Sequence, residues 1–142
     1  MDEPSFTVLV VDDEPDLRRF MVGVLQSNGF GPIEAVNEAQ GLALFKANRD
    51  RIDLVILDMV MPGMSGLDLA AELERQRPGV KVLYISANGA SIAMECIVRQ
   101  SADGVLFKPF TGSGLVERVV QLLEKSGADR ARLSRLSGGE SA

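Results

Sequence analysis

The chain has 142 residues, of which 46% are apolar and 25% are charged, the balance of a folded globular domain rather than of a disordered chain. Its net charge of −5 offers no basic surface to nucleic acid or to an anionic membrane, and the absence of histidine excludes histidine bases, histidine metal ligands and a phosphohistidine carrier. The single cysteine, Cys96, excludes an internal disulfide and predicts a reducing, cytoplasmic setting. The acidic N-terminus is unlike a signal peptide, and the longest apolar stretch, Leu54–Met61, is too short for membrane insertion.

Short apolar runs alternate along the chain with longer stretches of helical periodicity. The runs are rich in Val, Ile and Leu and end at polar or turn residues, which is typical of strands buried on both faces. In chain order, the predicted elements are the strand Phe6–Val11, a helix from Pro15 to Asn28-Gly29, the strand Ile33–Val36, the helix Glu38–Ala47, the strand Asp53–Asp58, the helix Ser65–Arg77, the strand Val80–Ile85, the helix Ala90–Gln100, the strand Gly104–Phe107 and the helix Ser113–Lys125.

Five consecutive strand–helix units predict an α/β fold with a doubly wound, five-stranded parallel sheet. The periodicity assigns these side chains to the core: Leu17, Phe20, Met21, Val24 and Leu25 in the first helix, Ala39, Leu42, Ala43 and Phe45 in the second, and Leu115, Val116, Val119, Leu122 and Leu123 in the last. Residues 1–125 are predicted to form one domain, and residues 126–142 a tail or linker stub. No GxGxxG, GxxxxGK[ST] or GxSxG motif is present, which disfavours dinucleotide, P-loop and hydrolase functions.

Polar side chains stand where four of the predicted strands end: Asp12 and Asp13, Asp58, Ser86, and Lys108. Singly, each has a simpler explanation, such as a helix cap for the acid pair or a turn for the lysine. Together they would meet at one edge of a parallel sheet, where such folds bind ligands. Carboxylates there would repel one another unless a hard cation such as Mg²⁺ joined them. A lysine and a hydroxyl could hold phosphoryl oxygens, and a carboxylate could be the nucleophile.

Four motifs in order resemble the receiver domain of the two-component response-regulator family. They are VLVVDDEP (8–15), DLVILDMVMPGMSG (53–66), VLYISA (82–87) and FKPF (107–110), and the resemblance covers about residues 6–125. It implies a flavodoxin-like fold with strand order 2-1-3-4-5. Runs 59–66 and 82–89 are also similar to receivers attached to hybrid sensor histidine kinases, so both a stand-alone receiver and part of such a kinase remain open.

The resemblance also implies a role for each acid. Asp58 would be the phosphoacceptor, receiving a phosphoryl group from the histidine of a sensor histidine kinase or a histidine phosphotransfer protein. Asp13, Asp58 and the backbone carbonyl of Val60 would bind Mg²⁺ directly, and Asp12 would act through a metal-bound water.

Two further residues complete the implied switch. Ser86 would shift its hydroxyl toward the phosphoryl group, and Lys108 would pair with it, with a cis bond between Lys108 and Pro109. Phosphorylation would then alter the surface formed by predicted helix 90–100, the fifth strand and the last helix, so that a downstream protein binds one state better. The isolated domain would therefore not be an enzyme, apart from its own phosphorylation and dephosphorylation.

The sequence departs from the family pattern at three positions. Val105 stands where an aromatic side chain often swings inward on activation, so an aromatic switch is not expected. Val60 and Asn88, each two residues after a site residue, flank the expected path of hydrolytic water. Apolar Val60 cannot orient that water, so its replacement by a polar residue is predicted to change the dephosphorylation rate.

Two alternatives use the same residues differently. A Mg²⁺-dependent phosphatase of the haloacid-dehalogenase kind would also form an aspartyl phosphate, but its acids follow an Asp-x-Asp pattern after the first strand, whereas Asp12 and Asp13 are adjacent. A phosphate-independent interaction module would retain the fold without needing the acids, the serine and the lysine together.

Overall fold

Strands and helices alternate in the computed structural model, which describes residues 6–59, 66–86 and 104–125. In chain order they are β1 (Thr7–Val11), α1 (Pro15–Ser27), β2 (Gly31–Ala35), α2 (Glu38–Ala47), β3 (Leu54–Asp58), α3 (Gly66–Gln76), β4 (Val82–Ser86), β5 (Val105–Phe107) and the helix Gly112–Lys125, called the 112–125 helix below. The strands form one parallel sheet in the order β2-β1-β3-β4-β5, which confirms the predicted fold class and strand order. Predicted helix Ala90–Gln100 and the tail 126–142 lie outside the described residues.

Helices cover both faces of the sheet and create two separate cores. α1 and the 112–125 helix pack on one face, whereas α2 and α3 pack on the other. Side chains of β1 alternate between the two cores, with Val8 and Val10 in the first and Leu9 and Val11 in the second. The strand order reverses between β1 and β3, and in such sheets the ligand crevice opens at the carboxyl ends on either side of that point.

The second strand begins two residues and ends one residue earlier than its apolar pattern predicts. The expected strand Ile33–Val36 is in fact Gly31–Ala35, and Val36 is exposed. Pro32, which signals a turn in the sequence, belongs to the strand because β2 lies at the edge of the sheet, where one missing N–H group is tolerated. The other predicted strands and helices agree with the described bounds to within two residues.

The predicted apolar faces of the first two helices need correction. Phe20 is 43% exposed rather than buried, and its ring contacts that of Phe110, with centroids 6.2 Å apart. In α2, Ala39 and Ala43 are exposed, and Gly41 and Phe45 are buried. A Cβ atom at Gly41 would lie 2.9 Å from a methyl group of Val11, so the helix approaches β1 as closely as it does because this residue has no side chain.

The 112–125 helix buries the face that its periodicity predicts: Leu115, Val119, Leu122 and Leu123 are buried, and Val116 packs against them. The helix begins close to α1, since a Cβ atom at Gly112 would lie 3.1 Å from Val24. None of the helices in the described part of the chain is both long enough and apolar enough to cross a bilayer.

Candidate functional site

The sheet brings Asp12 and Asp58 to neighbouring positions. Val11 of β1 pairs with Leu57 of β3, so the next residue on each strand, Asp12 and Asp58, stands at the shared carboxyl edge. Both carboxylates are buried, Asp12 fully and Asp58 almost fully. Two acids that end apolar strands and remain buried need compensating groups, since a buried, unpaired carboxylate is costly.

The next two strands bring Ser86 and Lys108 to the same edge. Ile85 pairs with Asp58 across β3 and β4, so Ser86 is one residue further along, and it is buried. The backbone N–H of Lys108 donates to the Ser86 carbonyl over 2.8 Å. The Lys108 ammonium donates to Asp58 Oδ2 over 3.3 Å, and the Lys108–Pro109 peptide bond is cis, as predicted.

Asp12 is held mostly by backbone groups. Its N–H donates to the Ala35 carbonyl over 3.1 Å, and its Oδ1 accepts the N–H of Glu14 over 2.9 Å. Its Oδ2 is buried and has no hydrogen-bond partner among the described residues. Burial raises the pKa of Asp12 from 3.8 to about 7; the neighbouring charge of Asp58 also raises it, while the Glu14 N–H and the Lys108 charge lower it.

These carboxylates fit a hard divalent cation. Oxygens of Asp12, Glu14 and Asp58 all lie within 4.8 Å of one another. Mg²⁺ prefers oxygen ligands from a few carboxylates, and the unpartnered Asp12 Oδ2 is an acceptor that a cation or its bound water would satisfy. The acidic cluster therefore suits Mg²⁺ in donor type and charge.

The cluster differs in one member from the predicted set of ligands. Asp13 is exposed and is not among the three clustered acids. Glu14, also exposed, is the third acid of the cluster, and no motif in the sequence marks it as a ligand. The only available signal was its position in the loop at the carboxyl end of β1. Ligation by Asp13 stays a prediction, and the Val60 carbonyl and Asn88 lie outside the described residues.

The first residue of α3 lies against the backbone around Asp58. A Cβ atom at Gly66 would be 3.1 Å from the Asp58 carbonyl oxygen and equally close to the Cα and Sδ atoms of Met59. Contacts at that distance would be tighter than ordinary van der Waals packing. Gly66 therefore lets the helix begin directly beside the carboxyl end of β3.

A cavity of about 250 Å³ adjoins the lysine on the α1 side of the site. Its walls are mostly apolar, and charged groups also line it. The lining residues are Glu14, Leu17, Phe20, Lys108, Pro109 and Phe110. The exposed ring of Phe20 thus lies near the group that contacts Asp58.

Comparisons with known proteins agree with the fold and show the family. The family model described as "Response regulator receiver domain" matches residues 8–120. The chain is 35% identical over 126 residues to the probable transcriptional regulatory protein TcrX of Mycobacterium tuberculosis, covering 89% of this chain and 53% of that protein. It is 33% identical over 121 residues to the sensor kinase CckA of Brucella abortus, covering 85% of this chain and 13% of that protein.

Solved structures give the same result. A response regulator receiver domain protein from Clostridium thermocellum superposes with a TM-score of 0.76 at 26% identity, covering 86% of this chain and 97% of that one. The receiver domain of NtrX from Brucella abortus gives 0.73 at 32% identity, covering 82% and 98%.

The fold and these matches define a receiver domain of two-component signalling. The chain belongs to the response regulator receiver domain family, and a receiver domain by itself is not an enzyme in the classical sense. It spans about half the length of TcrX and a much smaller part of CckA.

Proposed function

We propose that this receiver domain accepts a phosphoryl group on Asp58 from a phosphohistidine, in a reaction that depends on Mg²⁺. The observation that carries the proposal is the meeting of Asp12, Asp58, Ser86 and Lys108 at the carboxyl ends of four adjacent strands. Asp58 has the two properties expected of the acceptor, because it is buried at the carboxyl edge of the sheet and contacts the ammonium group of Lys108.

In the transfer, a carboxylate oxygen of Asp58 attacks the phosphorus atom of the donor. The new O–P bond forms while the P–N bond to the donor imidazole breaks, and the imidazole nitrogen keeps the electron pair. Such a transfer needs little covalent help from the protein beyond positioning and stabilisation of charge. The product is an aspartyl phosphate, which adds negative charge beside carboxylates that are already buried.

Two side chains handle that added charge. Lys108, whose side chain is 28% exposed, reaches Asp58 from the side and can follow a phosphoryl oxygen as a compact point charge. The Ser86 hydroxyl is a donor at the next strand end. Lys108 and Ser86 are therefore assigned to binding the phosphoryl oxygens.

Mg²⁺ would be held by Asp12, Asp58 and neighbouring oxygens, with Asp13, Glu14 and the Val60 carbonyl as the candidate neighbours. The ion would neutralise charge shared by the carboxylates and the phosphoryl group. The unpartnered Oδ2 of Asp12 supports this assignment. This chain's own contribution is to place the oxygens and to keep Asp12 fixed by its backbone contacts.

The proposed phosphodonor is a sensor histidine kinase or a histidine phosphotransfer protein, and a downstream protein would bind the altered surface. The apolar cavity beside Lys108 gives a donor protein a surface next to Asp58. We also propose that residues 1–125 form the receiver domain, that residues 126–142 form a tail or linker, and that the protein acts in the cytoplasm.

The direct test is the intact mass of the chain after incubation with acetyl phosphate and Mg²⁺. We expect one phosphoryl adduct on the wild-type chain, no adduct on Asp58→Asn and none in the presence of EDTA. Steady turnover of phosphate esters would instead indicate a phosphatase. A chain that neither binds Mg²⁺ nor forms an adduct would indicate a phosphate-independent interaction module.

A further inference from the structure

Arg18 of α1 makes two polar contacts that tie the helix to the acid-bearing loop. Its Nη1 donates to the backbone carbonyl of Asp12 over 2.8 Å, and its Nε donates to Glu34 Oε1 over 3.1 Å. Glu34 belongs to edge strand β2. The guanidinium side chain is only 11% exposed. The guanidinium of Arg18, which is partly buried, therefore bridges a helix, a loop and an edge strand.

The contact with Arg18 completes the support of Asp12. The N–H of Asp12 donates to the Ala35 carbonyl. Its Oδ1 accepts a hydrogen bond from the Glu14 N–H, and its backbone carbonyl accepts one from Arg18. The backbone N–H of Arg18 also donates to the Glu14 carbonyl over 3.0 Å. Hydrogen bonds thus hold the turn at both ends, and Oδ2 is the polar atom of Asp12 for which the described residues offer no partner.

The direction of the guanidinium depends on Glu34. Glu34 is 47% exposed, and a salt bridge of that exposure contributes little to stability. Its geometric effect is larger, because a planar guanidinium with one nitrogen on Glu34 presents another nitrogen to the Asp12 carbonyl. Glu34 thus orients Arg18 more than it stabilises the fold.

We propose that Arg18 is a positioning residue for the cation site: it fixes the Asp12 turn so that the Asp12 carboxylate faces Asp58 in the geometry that Mg²⁺ requires. This inference rests on the proposed function. Mg²⁺ demands near-ideal octahedral geometry, so a small rotation of a supporting turn weakens binding. Loss of a group that hydrogen-bonds to a metal ligand and orients it typically lowers metal affinity 10- to 100-fold.

The test compares Arg18→Gln with Arg19→Gln in the full chain. Both substitutions remove one positive charge from α1, but Arg19 is exposed, so the pair separates geometry from long-range charge. Mg²⁺ binding is measured by calorimetry without any phosphodonor. Adduct formation from acetyl phosphate is then measured across Mg²⁺ concentrations, and thermal unfolding in EDTA reports the fold.

We expect Arg18→Gln to raise the Mg²⁺ dissociation constant about 10-fold, and Arg19→Gln to leave it within about 2-fold of the wild type. At saturating Mg²⁺ the rate of adduct formation of Arg18→Gln should return to near the wild-type value. Arg18→Lys should fall in between, since one ammonium cannot reproduce the fork. A merely structural role would lower the unfolding midpoint without this split between metal affinity and maximal rate.

Equal Mg²⁺ affinities for Arg18→Gln and Arg19→Gln, in a chain whose wild type binds Mg²⁺ and forms the adduct, would overturn the positioning role alone. If the wild type neither binds Mg²⁺ nor forms the adduct, both proposals fail. If Arg18→Gln does not fold, Glu34→Gln decides: it leaves Arg18 in place, and we expect Mg²⁺ binding to be weaker than in the wild type. Unchanged binding in Glu34→Gln would then reject the inference.

Discussion

Asp12 and Asp58 are buried acids at the ends of adjacent strands, yet different kinds of groups hold them. Asp12 is fixed by two backbone groups, the Ala35 carbonyl and the Glu14 N–H, and by the guanidinium of Arg18. Asp58 contacts the ammonium of Lys108, at the end of a flexible side chain that is partly open to solvent. The first carboxylate is therefore constrained by the fold, whereas the second meets a charge that can move.

The difference suits two separate tasks. A metal-binding carboxylate works best when its position is set in advance, because the cation tolerates little distortion. A nucleophile changes its charge and bulk during transfer, so its counter-charge must be able to follow. The contacts around each aspartate thus assign Asp12 to metal binding and Asp58 to nucleophilic attack. Substitutions can test whether this assignment holds.

The largest expected contrast is between Asp58→Asn and Asp12→Asn in phosphorylation by acetyl phosphate. Asp58→Asn should form no adduct at any Mg²⁺ concentration, because the nucleophile is gone. Asp12→Asn should still form it, with the half-saturating Mg²⁺ concentration raised about 10-fold. Intact mass against Mg²⁺ concentration measures both. Loss of the adduct in Asp12→Asn even at saturating Mg²⁺ would contradict the division of roles.

Lys108→Met tests the mobile charge. We expect adduct formation at saturating Mg²⁺ to slow about 100-fold, the usual effect of removing one group that stabilises a developing charge. The matched control is Lys46→Met, which removes the same charge from an exposed position in α2. Equal rates for the two variants would show that Lys108 does not act on the transferred group.

A smaller effect is expected on stability in the absence of Mg²⁺. Asp12→Asn should raise the free energy of unfolding at pH 8 by about 2 kcal/mol, because the wild type must bury an ionised carboxylate beside Asp58. Urea denaturation of both chains measures the difference. It should shrink when Mg²⁺ is added, since the ion stabilises the folded wild type.

The difference in the free energy of unfolding between the wild type and Asp12→Asn should also depend on pH. The pKa of Asp12 is about 7 in the folded chain, against an ordinary value of 3.8. Between these values the folded state keeps a proton that the unfolded state has released, so wild-type stability falls, relative to Asp12→Asn, as the pH rises from about 4 to 7. Asp58 and Lys108 are the charged side chains that face this carboxyl group. A constant difference between the chains over this range would mean that Asp12 stays ionised.

The smallest expected change concerns the lifetime of the phosphoryl group. Val60→Asn and Val60→Glu should alter the dephosphorylation rate, because a polar side chain can orient water where valine cannot. Decay of the phosphorylated mass after removal of acetyl phosphate measures the lifetime. Lifetimes equal to that of the wild type in both variants would remove position 60 from the hydrolytic path.

Most of the fold and the strand-end residues were predictable because each buried strand is a local apolar run. Asp12, Asp58 and Lys108 stand where such runs stop, and parallel topology brings their ends together. The support of Asp12 was not predictable in this way. Arg18 is one residue of a helical pattern, and its contact with Glu34 depends on the register of an edge strand whose first residues, Gly31-Pro32, look like a turn.

Side-chain burial in the helices was less predictable than helix position. Periodicity assigned Phe20 to the core, but the contact it makes is with Phe110, whose position depends on the chain after β5. In α2 the buried face is set by the close approach of Gly41 to Val11, a tertiary contact that alanine-rich periodicity does not reveal. Both errors arise from contacts between elements distant in sequence.

Gly66 has a consequence for protein engineering. A Cβ atom at Gly66 would lie 3.1 Å from the Cα of Met59, so the two residues that flank the segment 60–65 are close together. For such a segment, doubling the length costs only about 0.6 kcal/mol of closure entropy. Insertions between residues 59 and 66 should therefore leave the sheet intact while changing the segment that contains Val60. In such a folded chain, the folding of the sheet and the acceptance of a phosphoryl group can be studied separately.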